Sequence, residues 1–183
     1  ELYSLIYSNQ KLLYDALYHA AHQTMEELSA DPKHLGARIG YICVLHTWGS
    51  RMNYHPHLHT IVLGGGLDAA NKWKDKGKKF FFPVKVMSAV FKKYYLCELK
   101  QLWEEKKLEY HGTAAHLKNH YEFKVLLNSL YDKNWVVYTK EAFNGANSVI
   151  HYLGRYTHRI AISNRRIVSM TDETVTYLVK DYK

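Results

Sequence analysis

The sequence predicts a mixed α+β fold, with a central antiparallel β-sheet and flanking helices. Two stretches rich in β-branched and aromatic residues, 37–47 and 57–63, follow one another closely and predict a hairpin with a long connection. Long segments with apolar residues at helical spacing stand before and after this hairpin. Because the strands are grouped rather than alternating with helices, an antiparallel sheet is favoured.

Four helices are predicted from periodic apolar residues and from residues that begin or end helices. Ser8 is the expected N-cap of the first helix, Asp31-Pro32 ends it, and Pro83 precedes the second. The predicted helices cover residues 8–29, 84–108, 116–131 and 144–158. The apolar stripe of the first helix consists of Leu13, Leu17, Ala20, Ala21, Thr24 and Leu28, and that of the second of Met87, Val90, Phe91, Tyr94, Leu102 and Trp103. Further strands are predicted at 135–140, 159–163, 166–170 and 174–180.

A glycine run and a lysine-rich segment follow the hairpin. Gly64-Gly65-Gly66 is predicted to end the second strand, since it lacks the Lys-Ser/Thr of a phosphate-binding loop. The next segment, 68–79, is predicted to be a basic loop that either contacts DNA or is simply solvated. Its candidate DNA-binding residues are Lys72, Lys74 and Lys76.

The composition is that of a folded, basic protein. The 183 residues include 25 lysines and arginines against 17 aspartates and glutamates, a net charge of +8, with 12 histidines and 16 tyrosines. Lysines and arginines can follow a phosphate backbone and aromatic rings can stack on bases, so this composition suits a protein that binds single-stranded nucleic acid. The alternative is that the positive charge reflects only a basic, soluble surface. An apolar share of 47% at this length suits a single domain over 1–183.

Membrane and disulfide-rich classes are not expected. No apolar run approaches the roughly 18–20 residues of a membrane helix, and the first residues do not resemble a signal peptide. Two cysteines, Cys43 and Cys97, are too few for a disulfide framework or a cysteine zinc site. A reducing cytosol therefore fits best.

Four histidines lie in and around the predicted hairpin. His57 and His59 point to the same side of a strand, and the hairpin would bring His46 beside them. Three neutral imidazoles can hold one divalent ion and leave coordination positions open for water or substrate. His55 competes for a ligand role, but it is predicted to lie in the loop before the strand. The alternative is that these histidines are buried core residues that bind no metal ion.

Two tyrosines one helical turn apart form the second candidate group. Tyr152 and Tyr156 stand at i and i+4 on the last predicted helix, at the edge of its apolar face. Arg155 and Arg159 border them and could bind phosphate oxygens. The alternative is that both tyrosines are ordinary structural residues, in the core or at the boundary between the buried and exposed faces of the helix. A tyrosine hydroxyl is a weak nucleophile at neutral pH, so attack on a phosphodiester would need a divalent ion to activate the phosphoryl group.

These segments resemble one known family. The sequence is similar to the HUH (His–hydrophobic–His) endonucleases, and among them to the two-tyrosine rolling-circle transposases of bacterial insertion sequences. The likeness covers nearly the whole chain and is carried, in order, by HTWG (46–49), HPHLH (55–59) through GGGL (64–67), FPVKV (82–86) and YLGRYTHRIAISN (152–164).

The resemblance implies a ferredoxin- or RRM-like sheet with flanking helices, and it assigns roles to site residues. It implies His57 and His59 as metal ligands, His46 as a third ligand, and Tyr152 and Tyr156 as nucleophiles. The resemblance implies Mg²⁺ or Mn²⁺ as the ion. Ligand softness by itself favours Zn²⁺ or Mn²⁺ over Mg²⁺ for three imidazoles, so Mn²⁺ is the ion expected in vitro and the cellular ion is left open. Relatives have a strand before the first helix, so we expect a catalytic domain truncated at both ends.

The expected function is that of a transposase that nicks and rejoins single-stranded DNA through 5′-phosphotyrosine intermediates, in rolling-circle-type transposition. A plasmid rolling-circle replication initiator or a relaxase would use the same chemistry. A metal-dependent hydrolase that uses water, and a non-catalytic single-strand-binding domain, are alternatives from other classes. The resemblance also implies a location in the bacterial cytoplasm, at DNA. The oligomeric state is left open.

Overall fold

The computed structural model describes residues 2–75, 77, 82–140, 143, 145–157 and 161–179, without the side chains of residues 146 and 155–157. The helices are α1 (Leu2–Ser8), α2 (Gln10–Ala30), α3 (Val84–Glu104), α4 (His120–Asp132) and α5 (Ala146–Thr157), with short 3-10 helices at Gly112–Lys118 and Asn164–Arg166. The strands are β1 (Arg38–Trp48), β2 (Tyr54–Leu67), β3 (Trp73–Asp75), β4 (Ile167–Met170) and β5 (Val175–Tyr177). These elements confirm the predicted α+β class.

The chain divides into two compact units. The first comprises Glu1–Cys43 with Thr60–Phe143, and the second comprises Val44–His59 with Asn144–Lys183. Among the described residues, no helix combines the length and the apolar character needed to span a bilayer.

Helix α2 forms the centre of the first unit's helical core. All six residues of its predicted apolar stripe are buried, which confirms the helical spacing derived from the sequence. Helix α3 differs in part from its prediction. Its fully buried residues are Tyr95, Leu96 and Leu99, whereas Met87 and Val90 of the predicted stripe are half-buried and pack against a hydrophobic cluster. It contacts both α2 and α4, so its buried face is shared between two neighbours that the sequence pattern does not reveal.

The N-terminal boundary of α2 differs from the prediction. Ser8 is the last residue of α1 and donates a hydrogen bond to the Ser4 carbonyl oxygen, 3.1 Å away, instead of capping α2. Asn9 separates the two helices. Its side-chain amide donates to the carbonyl of Glu109 (2.7 Å), and its carbonyl oxygen accepts from the Glu109 amide (2.7 Å). This buried asparagine therefore joins two segments that are distant in sequence.

The main sheet is three-stranded and antiparallel, with strand order β1-β2-β3. Strand β2 begins at Tyr54 and continues through the glycine run to Leu67, so the prediction that Gly64-Gly65-Gly66 ends the strand is wrong. The predicted basic loop contains β3, in which Asp75 pairs with Gly65 and Trp73 with Leu67.

Two of these glycines allow the neighbouring strands to approach closely. A Cβ on Gly66 would overlap the carbonyl oxygen of Arg38 in β1. A Cβ on Gly65 would lie 2.6 Å from Cζ2 of Trp73 and 2.5 Å from the Lys74 carbonyl oxygen in β3. A Cβ on Gly64 would meet nothing within 4 Å. Gly65 and Gly66 therefore lie where β3 and β1 come closest to β2, and neither position has room for a side chain.

The two faces of the sheet in the first unit differ. One face packs into a hydrophobic cluster with α2 and α3, which consists of Met25, Leu28, Leu35, Ala37, Ile39 and Phe82, with Tyr41, Val62, Met87 and Val90 packed against it. On the other face, Ile42, Leu63 and Trp73 are 53%, 54% and 56% exposed. Side chains alternate between the faces of a strand, so the described helices of the first unit pack on one face while these three side chains point to the other.

Several shorter predictions also change. Residues 135–140 carry no assigned strand, and 161–163 form a bend; residues 159 and 160 lie outside the described part of the chain. The predicted helix 116–131 is instead a 3-10 turn followed by α4, whose Asn119 cap accepts hydrogen bonds from the amides of Tyr121 and Glu122. Strands β4 and β5 pair as the two terminal strands predicted for this region, but both are shorter.

We expect Gly66→Ala to destabilise the fold by roughly 1–3 kcal/mol, because the added methyl group must push β1 away from β2. Gly64→Ala is the matched control. Both substitutions reduce the conformational entropy of the unfolded chain equally, but a methyl group at position 64 meets no neighbouring atom. Urea denaturation followed by circular dichroism measures both. Equal free energies of unfolding for the two variants would contradict the close approach at Gly66.

Candidate metal and nucleophile site

Three histidines converge in the second unit. His46 lies near the end of β1, and His57 and His59 lie on β2, two positions apart on the same face. Their ligand atoms all lie within 4.8 Å of one another, and the two Nε2 atoms of His57 and His59 are 3.0 Å apart. His46 is buried, and the other two are half-buried. The structure thus brings together the three residues that the sequence predicts as a ligand set.

A backbone hydrogen bond fixes the orientation of the His57 ring. Its Nδ1 lies 2.7 Å from the carbonyl oxygen of His55, which can only accept, so Nδ1 carries the proton. In the neutral ring, Nε2 is then left with its lone pair directed at His59. This is the arrangement in which a histidine is prepared to bind a metal ion, with the second nitrogen held by a backbone carbonyl.

The surroundings keep His57 and His59 neutral. Burial lowers the pKa of His57. The hydrogen bond to the His55 carbonyl acts in the opposite direction, and the His55 and His46 rings lower the pKa further. Burial, together with His57 and His46, lowers the pKa of His59 to about 4. Both imidazoles are therefore uncharged near pH 7, which is the form that coordinates metal ions.

The donor set fits a divalent metal ion. Imidazole nitrogens suit zinc, copper, iron and similar ions, and three protein ligands leave positions open for water or substrate. Two nitrogens bound to one ion at about 2.1 Å lie about 3.0 Å apart when they are at right angles. The observed separation of 3.0 Å between the two Nε2 atoms matches that value.

Two neighbouring residues support the triad, and the sequence reasoning did not assign them this role. Trp48 stacks on His46, with ring centroids 4.7 Å apart and planes 14° apart. His55 belongs to β2, so its predicted position in a loop is wrong; its ring centroid is 5.0 Å from that of His57. The contact of Trp48 with His46 could have been predicted from the sequence, because positions 46 and 48 share one face of a strand.

Tyr152 is the predicted nucleophile that the structure places beside the triad. Its hydroxyl oxygen lies 3.4 Å from Nδ1 of His59, the ring nitrogen on the side away from His57. Helix α5 also contains Tyr156 and Arg155, but their side chains lie outside the described part of the structure, as does Arg159.

The connection between β1 and β2 is anchored to the C-terminal segment of the second unit. Arg166 donates hydrogen bonds to the carbonyl oxygens of Ser50 and Leu178, both at 2.7 Å. The hydroxyl of Tyr177 donates to the carbonyl oxygen of Arg51 at 3.0 Å. These contacts hold the loop that follows His46, and the sequence alone offered no signal for them.

The predicted DNA-binding lysines belong to the first unit. Lys72 and Lys74 are exposed, and Lys74 lies within β3 rather than in a loop. Lys76 lies outside the described residues. The DNA-binding role of these lysines stays a prediction.

Comparison with known proteins identifies the class of protein that carries this site. Residues 40–183 match the family model Y2_Tnp, described as "Putative transposase". The chain therefore belongs to the Y2_Tnp family, which confirms the resemblance to two-tyrosine transposases drawn from its motifs.

Two relatives are transposases by name. The chain is 40% identical over 181 residues to "Putative transposase y4qJ" of Sinorhizobium fredii, covering 98% of the chain and 46% of the relative. It is 28% identical over 184 residues to "Transposase for insertion sequence element IS801" of Pseudomonas savastanoi pv. phaseolicola, covering all of the chain and 42% of the relative. The chain thus spans about half the length of these relatives or slightly less. No solved structure matches the chain significantly.

We expect His57→Ala to weaken binding of Mn²⁺ at least tenfold, because one of three converging nitrogens is lost while the protein stays folded. Isothermal titration calorimetry of the metal alone measures this effect. His55→Ala is the matched control, because it removes a nearby imidazole of β2 but keeps the carbonyl that orients His57. Unchanged Mn²⁺ affinity in His57→Ala would remove His57 from the ligand set. A larger loss of affinity in His55→Ala than in His57→Ala would add His55 to that set.

Proposed function

We propose that this chain carries the catalytic residues of a transposase that nicks and rejoins single-stranded DNA through 5′-phosphotyrosine intermediates, in metal-dependent, rolling-circle-type transposition. The observation that carries the proposal is the position of the Tyr152 hydroxyl, 3.4 Å from His59 of a histidine triad, in a chain that belongs to a transposase family. A nucleophile and a metal-binding group in contact are what such a reaction needs.

His46, His57 and His59 would hold the divalent ion, Mg²⁺ or Mn²⁺, with Mn²⁺ favoured by the imidazole donors. When bound, the ion would withdraw charge from the scissile phosphodiester and orient it for in-line attack.

Tyr152 supplies the attacking oxygen. A bond forms between its hydroxyl oxygen and the phosphorus, and the bond from phosphorus to the 3′ oxygen breaks. The phenol loses its proton, and the departing 3′ oxygen gains one to become a free hydroxyl. The phosphodiester is replaced by a phosphotyrosyl ester, so the 3′ hydroxyl of a strand can later attack it and restore a phosphodiester without an external energy source.

His59 orients this tyrosine. With Nε2 facing His57 as a metal ligand, the proton of the neutral ring resides on Nδ1, which then donates to the Tyr152 hydroxyl oxygen. His59 in that state cannot also accept the tyrosine proton. Its contribution is therefore to position the attacking oxygen, and the proton leaves by another route.

Tyr156 is the second nucleophile in this proposal, since it lies one turn further along α5. Two tyrosines allow two successive cleavages without release of the first strand. The positively charged side chains that the proposal assigns to the DNA backbone are Arg155, Arg159, Lys72, Lys74 and Lys76.

We expect the double variant Tyr152→Phe/Tyr156→Phe to fold normally and to form no covalent adduct with single-stranded DNA, because both attacking hydroxyls are missing. Labelled oligonucleotides are incubated with the protein and Mn²⁺, and the adduct is resolved on a denaturing gel. Addition of EDTA should abolish the adduct formed by the unaltered chain.

Tyr138→Phe is the matched control, because Tyr138 is an exposed tyrosine in the first unit. It should form the adduct at an unchanged rate. An adduct that persists in the double variant would contradict the assignment of the nucleophiles. Binding of the oligonucleotide without cleavage by the unaltered chain, with any divalent ion, would favour a non-catalytic single-strand-binding domain instead.

A further inference from the structure

The connection between β1 and β2, residues 49–53, has a constrained backbone. Two hydrogen bonds close it, one from the amide of Gly49 to the carbonyl oxygen of Asn53 (2.9 Å) and one from the amide of Met52 to the carbonyl oxygen of Gly49 (3.0 Å). Met52 has a φ of 59°, in the left-handed region that disfavours residues with a side chain. A backbone of this kind keeps its form because surrounding contacts hold it.

Two side chains from the C-terminal part of the second unit hold this connection at successive carbonyl groups. Nη2 of Arg166 donates to the carbonyl oxygen of Ser50 at 2.7 Å, and the hydroxyl of Tyr177 donates to that of Arg51 at 3.0 Å. The guanidinium carbon of Arg166 also lies 6.0 Å from the centroid of the Tyr177 ring, so the two donors support each other. The connection is thus held by residues that lie 116 and 126 positions away in sequence.

The direction in which Arg166 donates is fixed by the segment that follows β5. Its Nε donates to the carbonyl oxygen of Leu178 at 2.7 Å, and its own carbonyl oxygen accepts from the Leu178 amide at 2.7 Å. A guanidinium group is a planar fork of donors, so a fork held at Nε by one carbonyl presents Nη2 in a defined direction. Arg166 therefore joins the backbone of residue 178 to the backbone of residue 50.

The connection separates the two parts of the histidine triad along the chain. His46 lies three residues before residue 49, and His55, whose carbonyl orients His57, lies two residues after residue 53. The connection of a hairpin helps to fix the register of its two strands, and the register decides which side chains share a face. A change in the form of this connection therefore moves His46 relative to the two ligands on β2.

We infer that Arg166 is a positioning residue of the metal site, which joins the carbonyls of Ser50 and Leu178 and thereby fixes the place of His46 in the ligand set. The inference rests on the proposed function, because it takes the histidine triad as the site of the divalent ion. It adds a residue outside the triad on which binding of the ion depends. A lysine at this position would keep the charge but could not hold both carbonyls as a planar fork does.

Titration with Co²⁺ alone tests this inference, because the visible absorption of bound Co²⁺ reports the number and geometry of its ligands. We expect Arg166→Met to weaken Co²⁺ binding about tenfold and to change the absorption spectrum, since His46 is no longer held in line with the ligands on β2. Arg166→Lys should lie between this variant and the unaltered chain. Arg165→Met is the matched control, because it removes the same charge from an exposed position of the same 3-10 helix, and it should bind Co²⁺ like the unaltered chain.

A merely structural role for Arg166 would lower the melting temperature followed by circular dichroism but leave the Co²⁺ affinity and spectrum of the folded chain unchanged, and that result would overturn the inference. If Arg166→Met does not fold, the milder Arg166→Lys decides by the same two readouts. The adduct assay separates this inference from the proposed function. If Arg166→Met loses Co²⁺ affinity while the unaltered chain binds Co²⁺ but forms no adduct, the positioning role stands and the proposed chemistry is wrong. If the unaltered chain binds no Co²⁺, both proposals are wrong.

Discussion

The pairing of β1 with β2 is the interaction on which the candidate site depends. Since side chains alternate between the faces of a strand, this pairing brings His46 beside His57 and His59. A register slip of one residue would turn the imidazoles of one strand to the opposite face and disperse the ligand set. The loop between the strands is held in place, because Arg166 and Tyr177 donate hydrogen bonds to its carbonyl oxygens. The backbone thus prepares the site before any ion binds.

The histidines also control one another's chemistry. A carbonyl oxygen keeps the proton of His57 on Nδ1, and burial keeps both β2 imidazoles of the triad neutral near pH 7. Two neutral nitrogens only 3.0 Å apart need a proton or a cation between them, because two lone pairs facing each other repel. The capacity of this cluster to hold a metal ion therefore follows from burial and hydrogen bonding together. The hydroxyl of Tyr152, the proposed nucleophile, lies beside this cluster in contact with His59.

Predictions based on local chemistry failed where distant segments decided the outcome. The glycine run Gly64-Gly65-Gly66 has the composition of a turn, but its missing side chains make room for the backbone of β1 and for Trp73 of β3. Ser8 has the chemistry of a helix cap, yet Asn9 and its partner Glu109 determine that junction. The buried residues of α3 were missed because their partners lie on two other helices.

The sequence by itself determined the α+β class, the apolar face of α2, the histidines of the triad and the family to which the chain belongs. These features depend on short spacings, namely the two-residue period of a strand and the 3.6-residue period of a helix, which the order of residues contains in full. Only the tertiary structure decided that Trp48 stacks on His46, that a carbonyl orients His57, and that Ile42, Leu63 and Trp73 are more than half exposed. Those contacts depend on strand register and on which helices pack where, and no local spacing encodes either.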